Sequence, residues 1–359
     1  MQMEERVMKK FTILMVLVCS LICVSLMYLP KVTAKANEFI AQYKAMREEA
    51  RMREEMSALE LMRMHEQEIS ISLRKKLGHS IRMSYLGNLK LSAVKVKEDP
   101  MERRIQMIFP GLKENVLNRY PIVGSTRHLK DMKVTDTKEG LCITFVTDRV
   151  VVPDLSKEKE FCYVTLKEPQ EVYDRIVVID AGHGGKMPGA VVNGVKEKSI
   201  NLQIVRALKQ YLDKDKSLKA YYTRLDDSHV ELYERVRFAN EVKANLFISV
   251  HQNAIGTYYS SVNGTQVLYS ETGKGKHSSK KLAEILLAQT TRAFKSKNKG
   301  LVPGNRIFII RNAKMPVSLV EVGFITSVQE QKRLTDKGEQ KKIGKGLYDG
   351  IMEAFEKGF

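Results

Sequence analysis

The sequence predicts an α/β protein: a mainly parallel six-stranded sheet flanked by helices, preceded by a membrane helix, a helical stalk and a small β-rich domain. Three observations predict this fold. An uncharged apolar segment lies near the N-terminus, a long stretch without Gly or Pro follows it, and from Arg175 onwards apolar strand-like runs alternate with helical segments. The 359 residues are enough for two packed domains, because a single core usually takes ~100 to 200 residues.

The N-terminal segment predicts export from the cytoplasm. Phe11 to Leu29 carries no charge and follows several basic residues. At ~1.5 Å per residue this segment spans roughly 28 Å, close to the ~30 Å hydrocarbon core, whereas the apolar part of a cleaved signal has ~7 to 15 residues. Residues 1–36 are therefore expected to form an uncleaved signal anchor that leaves the chain extracytoplasmic and facing the cell wall. The A-x-A pattern at Ala34 and Ala36 keeps secretion after cleavage open as the alternative.

The next two regions differ in amino-acid composition. Residues 37–77 contain no Gly or Pro and are dominated by Glu, Arg, Met, Ala and Leu, which predicts a helical stalk. Residues 78–168 contain short β-type runs broken by turn residues, such as Leu141 to Val146 and Phe161 to Leu166. This second region is expected to be a small β-rich domain.

Charge and cysteine usage narrow the partners and the metal chemistry. Lys and Arg number 60 against 42 Asp and Glu, a net charge of +18 that favours polyanionic partners. Export argues against nucleic acid, so anionic lipid and anionic wall polymers are the expected counterparts. Cys142 and Cys162 are the two cysteines outside the apolar segment, and whether they pair stays open. No CxxC pair exists, so a bound metal is expected to use His and carboxylate ligands.

Residues 175–359 carry the α/β pattern. The expected strands are Ile176–Asp180, Lys219–Thr223, Leu246–His251, Thr265–Tyr269, Arg306–Ile310 and Val317–Val322. The expected helices lie near Ser199–Leu212, Glu231–Val242, Ser278–Ser296 and Gly338–Glu356.

Polar residues that end apolar strands are the first candidates for a site, because ligands of parallel α/β sheets bind beyond the carboxyl ends of the strands. The run IVVIDAGHGG brings His183 into a glycine-rich turn, and NLFISVHQNA ends its strand in His251. The run PVSLVEVGF places Glu321 after residues that should be buried. An ionised carboxylate is costly there unless it is paired or metal-bound, so Glu321 is expected to have a functional role.

Two histidines at strand ends could bind a metal ion together with a third ligand. The segment NGVKEKSI supplies Glu197 at the start of the next helix. Two His and one Glu form a hydrolytic zinc set that leaves a fourth position for water, although a lone strand-end His is more often structural. Zinc lowers the pKa of such a water towards ~7, and a nearby carboxylate can move the proton to a leaving amine.

From about Arg175 to Phe359 the sequence resembles the zinc-dependent N-acetylmuramoyl-L-alanine amidases of sporulation and cell separation. Four ordered motifs carry the resemblance: IVVIDAGHGGKMPGA, VKEKSINL, TRLDDSHVELYERVRFANEVKANLFISVHQNA and MPVSLVEVGFIT. The resemblance implies that His183, Glu197 and His251 bind Zn2+ and that Glu321 is the catalytic carboxylate.

Other residues at family positions carry weaker expectations. Arg224 and Arg235 either contact substrate or form salt bridges of helix and loop, and Asn253 is expected to orient substrate. The chain departs from the family pattern at Met187, where Asp is usual, and at Ser327, where Asn is common.

The resemblance implies a peptidoglycan hydrolase that cleaves the amide between N-acetylmuramic acid and the L-alanine of the stem peptide with zinc-activated water. The alternatives are another zinc amidohydrolase or peptidase that acts on cell-wall peptides, and an inactive wall-binding homologue. Only Ile255 to Asn263 separates the second histidine motif from the next strand, so no blocking helix is expected. His229 and the other histidines are expected on the surface. A role in sporulation is a further expectation.

Overall fold

A computed structural model describes residues 8–10, 12–18, 40–49, 80–84, 89–119, 121–158, 161–271 and 278–359. The chain divides into two compact units, Met1–Gly78 and His79–Phe359. In the first unit, residues 8–10, 12–18 and 40–49 are helical. Most of the expected signal anchor and stalk, including the Ala34 and Ala36 site, lies outside the described residues. Within the described ranges, no helix combines the length and the hydropathy that a membrane crossing requires.

The β-rich part of the second unit consists of two antiparallel four-stranded sheets. Its strands are β1 (Ser80–Ser84), β2 (Lys95–Asp99), β3 (Arg104–Pro110), β4 (Ile122–Gly124), β5 (Leu129–Thr137), β6 (Gly140–Thr147), β7 (Val152–Glu158) and β8 (Phe161–Lys167). The sheet orders are β4-β1-β8-β7 and β2-β3-β6-β5. A short helix, α1 (Asn115–Arg119), and two single 3-10 turns, Leu91–Ala93 and Pro169–Glu171, complete this part.

One hydrophobic core joins these two sheets. Every second residue of the central strands points into it, as Met107 and Phe109 do on β3 and as Cys162 and Val164 do on β8. This alternation is typical of sheets with one buried and one solvated face. Cys142 and Cys162 are both buried and both free thiols, so the disulfide left open by the sequence is not formed.

The remaining residues of the second unit form the α/β part. Its strands are β9 (Ile176–Ala181), β10 (Val191–Val192), β11 (Val195–Lys196), β12 (Lys219–Tyr222), β13 (Leu246–Asn253), β14 (Thr265–Tyr269), β15 (Asn298–Pro303) and β16 (Val317–Phe324). Its helices are α2 (Glu197–Leu212), α3 (Leu232–Glu241), α4 (Ser279–Phe294), α5 (Phe308–Asn312), α6 (Val328–Leu334) and α7 (Lys337–Glu356).

The large sheet has six strands in the order β12-β9-β13-β16-β14-β15, which confirms the predicted six-stranded sheet flanked by helices. The expectation of a mainly parallel sheet was wrong. The sheet is mixed, because β14 runs antiparallel to β16, while the other neighbouring strands of the sheet pair in parallel. The connection explains the reversal. β13 leads into β14 through residues 254–264, which contain no helix, and a parallel return needs a longer crossover.

The predicted strand Arg306–Ile310 is wrong. The structure places the edge strand β15 at Asn298–Pro303 and makes Phe308–Asn312 the short helix α5. The run RIFII is apolar and β-branched, but a short apolar run does not distinguish a strand from a buried helical turn. β15 pairs only with β14 and is largely solvated, so it lacks the apolar pattern that marks a central strand.

Helices cover both faces of the large sheet. α2, α4 and α7 pack on one face, where Val177 and Ile179 of β9 point. α3 and α5 pack on the other, where Ile176 and Val178 of the same strand point. Burial on both faces explains why β9, β13 and β16 are almost continuously apolar. The polar residues at their carboxyl ends therefore share one edge of the sheet.

A half-buried ion pair connects the β-rich part to α3. The Arg103 guanidinium donates to both carboxylate oxygens of Glu241, at 3.1 and 2.6 Å, and the Val150 N–H donates to the same carboxylate at 2.5 Å. The two side chains are only 14% and 16% exposed. This contact lies within the compact unit His79–Phe359.

Candidate metal centre

Three side chains from different segments meet at the carboxyl edge of the large sheet. His183 lies two residues after β9, Glu197 is the first residue of α2, and His251 lies in β13. His183 Nε2 is 3.1 Å from Glu197 Oε2, and His251 Nδ1 is 2.9 Å from Glu197 Oε1. Their potential ligand atoms all lie within 4.8 Å of one another. The structure thus brings together the three residues that the sequence proposes as metal ligands.

Glu197 sits at the centre of this cluster and is only 5% exposed. Burial raises the pKa of its carboxyl, but hydrogen bonds from His183 and His251 outweigh burial and hold that pKa well below its usual range. For His251, burial lowers the imidazole pKa, while the hydrogen bond and charge of Glu197 raise it, and the net shift is upward. The cluster is therefore a strongly coupled set of donor atoms.

Two glycines allow the side chains to approach so closely. A Cβ atom at Gly182 would collide with the His251 ring, and one at Gly189 would collide with the Glu197 carboxylate and the His183 ring. Gly189 also has a φ of +69°, which L side chains rarely adopt. These positions explain part of the glycine content of the first motif.

Two imidazoles and one carboxylate match the donor set of catalytic zinc sites, which keep one position open. Among the described residues, this cluster is the group of His, Cys, Asp or Glu side chains close enough to hold an ion. The chemistry of the donors and their mutual distances therefore fit Zn2+.

Glu321 lies beside the cluster on β16. The register pairs it with His251 on the neighbouring parallel strand. The residue as a whole is half-buried, but its Oε2 atom is buried and has no hydrogen-bond partner in the described parts of the chain. Burial raises the pKa of Glu321 to about 7, the positive charge of His251 opposes this shift, and the negative charge of Glu197 adds to it. A carboxyl with such a pKa can exchange protons near neutral pH.

A cleft of about 560 Å³ opens over these residues. Its base contains His183, His251 and Glu321, and its lining is completed by Asp180, Gly182, Lys186, Met187, His229, Val230, Glu231, Leu232, Arg235, Ile307, Ile309 and Leu319. The lining combines apolar side chains, such as Leu232, Ile307 and Ile309, with charged ones, such as Lys186 and Glu231. The cleft can therefore hold a molecule with apolar and polar parts next to the metal ligands.

His229 also lines this cleft, which the sequence did not predict. Its Nδ1 lies 3.3 Å from the Gly184 carbonyl oxygen, and its Nε2 lies 2.7 Å from a Glu231 carboxylate oxygen. His229 is 24% exposed, so it lies at the surface of the cleft, but it has two hydrogen-bond partners there. The one available signal was its place inside the third motif, since no spacing linked it to His183 or His251.

The guanidinium groups of the two arginines at family positions bond to other groups of the protein. Arg235 is 2% exposed, forms an ion pair with Asp180, and donates to the carbonyl oxygen of His183 at 2.7 Å. Arg224 is 4% exposed and donates to the carbonyl oxygens of Ala181 and Gly182 at 2.8 and 2.9 Å. Both guanidinium groups thus hold the loop that carries His183.

Asn253 lies at the end of β13 and does not line the cleft. Its Nδ2 donates to Gln266 Oε1 at 3.2 Å, and its Oδ1 accepts from the Ala254 N–H at 2.8 Å. These bonds fix the start of the 254–264 loop. The role in orienting substrate stays a prediction.

Asp180 anchors the hydrogen bonds beneath the cluster. It is 1% exposed and accepts hydrogen bonds from Thr223 Oγ1 and Ser249 Oγ, both at 2.6 Å, in addition to the Arg235 ion pair. Burial raises the pKa of Asp180, but the positive charge of Arg235 and the two hydroxyl hydrogen bonds lower it by more. The net shift of this pKa is therefore downward. Asp180 is therefore a fully partnered anion.

Comparisons with known proteins place the α/β part. A family model described as N-acetylmuramoyl-L-alanine amidase matches residues 177–353. The uncharacterized protein YqiI of Bacillus subtilis is 31% identical over 187 residues, which are 52% of this chain and 88% of that protein.

The N-acetylmuramoyl-L-alanine amidase LytC of Bacillus subtilis is 32% identical over 190 residues, which are 53% of this chain but only 37% of LytC. Among solved structures, the catalytic domain of CwlV, an N-acetylmuramoyl-L-alanine amidase from Bacillus (Paenibacillus) polymyxa var. colistinus, is 35% identical with a TM-score of 0.47. That match covers 51% of this chain and 98% of the CwlV chain.

Proposed function

The chain belongs to the N-acetylmuramoyl-L-alanine amidase family, and from this membership we propose that it hydrolyses the amide between N-acetylmuramic acid and the L-alanine of the stem peptide in peptidoglycan. One observation carries the proposal. The segment that matches the family places His183, Glu197 and His251 around a single point, beside the unpartnered carboxyl of Glu321.

The side chains divide the chemistry among them. His183, Glu197 and His251 would hold a zinc ion. When bound, zinc supplies Lewis acidity towards the amide carbonyl and lowers the pKa of water. Glu321 accepts the proton of the attacking water and then donates it to the leaving amine of L-alanine, which a carboxyl with a pKa of about 7 can do at neutral pH.

The cleft supports a substrate with two chemical characters. Leu232, Ile307 and Ile309 offer apolar contacts, while Lys186 and Glu231 place charges at the rim. A muramyl peptide has small apolar side chains and several polar and charged groups, so it matches such a lining. The scissile amide would lie at the base, within reach of Glu321.

Two other functions make different products. A zinc peptidase or other amidohydrolase of the cell wall would cut bonds within the stem peptide, and an inactive wall-binding homologue would bind zinc and peptidoglycan without cutting. Glu321 disfavours the inactive homologue, because its buried Oε2 atom has no hydrogen-bond partner among the described residues, and burial of such an atom lowers stability unless it serves a function.

Product analysis tests the proposal directly. The full chain, loaded with zinc, is incubated with purified peptidoglycan, and the soluble products are identified by mass spectrometry. We expect intact stem peptides with a free L-alanine amino terminus, loss of release after chelation, and recovery when zinc is added back. Peptides cut internally would favour the peptidase, and zinc-loaded protein that releases nothing would favour the binding homologue.

The setting of the enzyme is part of the proposal. We propose that the chain acts outside the cytoplasm, held at the membrane by the apolar segment within residues 1–36. Anionic wall polymers are proposed partners, supported by a groove of about 400 Å³ lined by Arg292, Lys341, Lys342 and Lys345. Fractionation of cells that express the full chain tests the first point, and sedimentation with wall polymers tests the second. A role in sporulation stays a prediction.

A further inference from the structure

The side chain of Asn201 touches all three segments that carry the cluster. Asn201 is 0% exposed and lies one helical turn after Glu197 on α2. Its Nδ2 donates to the Gly182 carbonyl oxygen at 3.1 Å and to Glu197 Oε1 at 3.2 Å. Its Oδ1 accepts from Gln252 Nε2 at 3.1 Å. Gly182 precedes His183 and Gln252 follows His251, so one amide group links the neighbours of both histidines to Glu197.

The arrangement demands an amide of this length. The two N–H groups of Asn201 are used by two acceptors, and its oxygen is used by one donor. Asp would keep the acceptor but lose both donors, and it would add a negative charge next to Glu197. Leu has a similar volume but makes none of the three bonds. The spacing of four residues along α2 places Asn201 directly beside Glu197.

The bond to Glu197 belongs to a set that orients its carboxylate. Oε1 lies 2.9 Å from His251 Nδ1 and also accepts from the Gln252 N–H and from Asn201. Oε2 accepts from the Ala190 N–H at 2.9 Å. Groups that hydrogen-bond to metal ligands fix the direction of the ligand lone pairs, and their loss typically lowers metal affinity about 10- to 100-fold.

We propose that Asn201 is a positioning residue that sets the relative placement of His183, Glu197 and His251 before the ion binds, and thereby sets the affinity for zinc. Asn201 acts through the Glu197 carboxylate, the Gly182 carbonyl group and the Gln252 side chain, without contacting substrate. The inference rests on the proposed function in one respect, namely that the ion at this cluster is zinc.

Zinc titration of the full chain in competition with a chromophoric chelator tests the proposal. For Asn201→Leu we expect the affinity for zinc to fall about 10- to 100-fold. Thermal unfolding of each metal-free variant shows separately whether the fold is intact. Wild-type zinc affinity in a folded Asn201→Leu variant would overturn the proposal.

A matched control separates positioning from packing. Gln340 is another buried amide, 6% exposed on α7, and its side chain donates to the Leu334 carbonyl oxygen at 2.8 Å. Gln340→Leu should lower stability and leave zinc affinity unchanged. If Asn201→Leu does not fold, Gln252→Met tests the same network, since it removes the donor to Asn201 but keeps the backbone bond to Glu197. We expect a smaller loss of zinc affinity there, and an unchanged affinity would contradict the proposal.

The zinc-affinity test of Asn201 does not depend on which bond the enzyme cleaves. A loss of zinc affinity in Asn201→Leu supports the positioning role even if product analysis shows no amidase activity. Release of stem peptides combined with unchanged zinc affinity sinks the positioning role alone.

Discussion

Two carboxyl side chains flank the strand that carries His251, and they have opposite surroundings. Asp180 on β9 and Glu321 on β16 lie on the two neighbours of β13. Asp180 has an arginine and two hydroxyl groups as partners, whereas Glu321 Oε2 has none among the described residues. The pKa of Asp180 is lowered, and burial raises the pKa of Glu321 to about 7.

The number of hydrogen-bond donors around each carboxyl group distinguishes a structural anion from a reactive one at the same sheet edge. A carboxylate whose lone pairs are filled by donors stays charged and holds its neighbours in place. A buried carboxyl without donors exchanges its proton near neutral pH, which is the property that general acid and base catalysis requires. Asp180 is thus expected to affect stability, and Glu321 is expected to affect turnover.

The largest expected effect on stability is that of Asp180→Asn. The variant removes the negative charge that neutralises the buried Arg235, and breaking such a pair costs about 3 to 5 kcal/mol. Urea denaturation of the metal-free protein measures this loss. Asp154→Asn is the control, because its ion pair with Lys167 is solvent-exposed and should contribute at most about 1 kcal/mol. Equal losses in the two variants would contradict the assignment of Asp180.

The pH dependence of stability should have opposite signs at the two carboxyls. The folded-state pKa of Asp180 is lowered, so its contribution is present above its unfolded pKa of about 3.9 and is lost as the pH falls below it. The folded-state pKa of Glu321 is raised, so its contribution is present below its unfolded pKa of about 4.3. That contribution is lost as the pH rises through about 7.

Metal-free Glu321→Gln should therefore be more stable than wild type above about pH 7, with the gap closing on acidification. Asp180→Asn should be less stable than wild type at neutral pH, and this gap should close only in strong acid. Denaturation midpoints across the pH range measure both gaps. If the stability of both variants relative to wild type changed with pH in the same way, the opposite roles of the two carboxyl groups would be contradicted.

A smaller effect is expected from Ser249→Ala, which removes one of the two hydroxyl donors to Asp180. A hydrogen bond to a charged group contributes about 1.5 to 3 kcal/mol, so stability should fall by about that amount or less. Turnover should stay near wild type, because the Arg235 pair still holds the loop of His183. Calorimetry and product assays check the two parts. A severe loss of turnover without a loss of stability would place Asp180 in the chemistry instead.

The sequence was sufficient for the parts of this site that depend on local pattern. His183, His251 and Glu321 end or interrupt buried apolar strands, and such placement is readable without a structure. Glu197 could be proposed because it opens the helix that follows the first motif. All four then meet because β9, β13 and β16 are neighbours.

Other features depend on long-range contacts that no local pattern reports. His229 joins the cleft only because the loop before α3 folds back over Gly184. Asn201 and Gln252 are ordinary polar residues in the sequence, and their importance appears only when α2 packs on β13. The edge strand β15 was missed because an edge strand needs no apolar pattern. The apolar run at α5 has the composition of a strand, but it forms a helix and pairs with no strand of the sheet.

The most direct test of Glu321 as the proton carrier is the turnover of Glu321→Gln per bound zinc ion on purified peptidoglycan. Gln has nearly the same shape but cannot accept and return the proton. We expect zinc content equal to that of wild type and a release of stem peptides about 10²- to 10⁴-fold slower. Undiminished release by zinc-loaded Glu321→Gln would contradict the role of the unpartnered carboxyl.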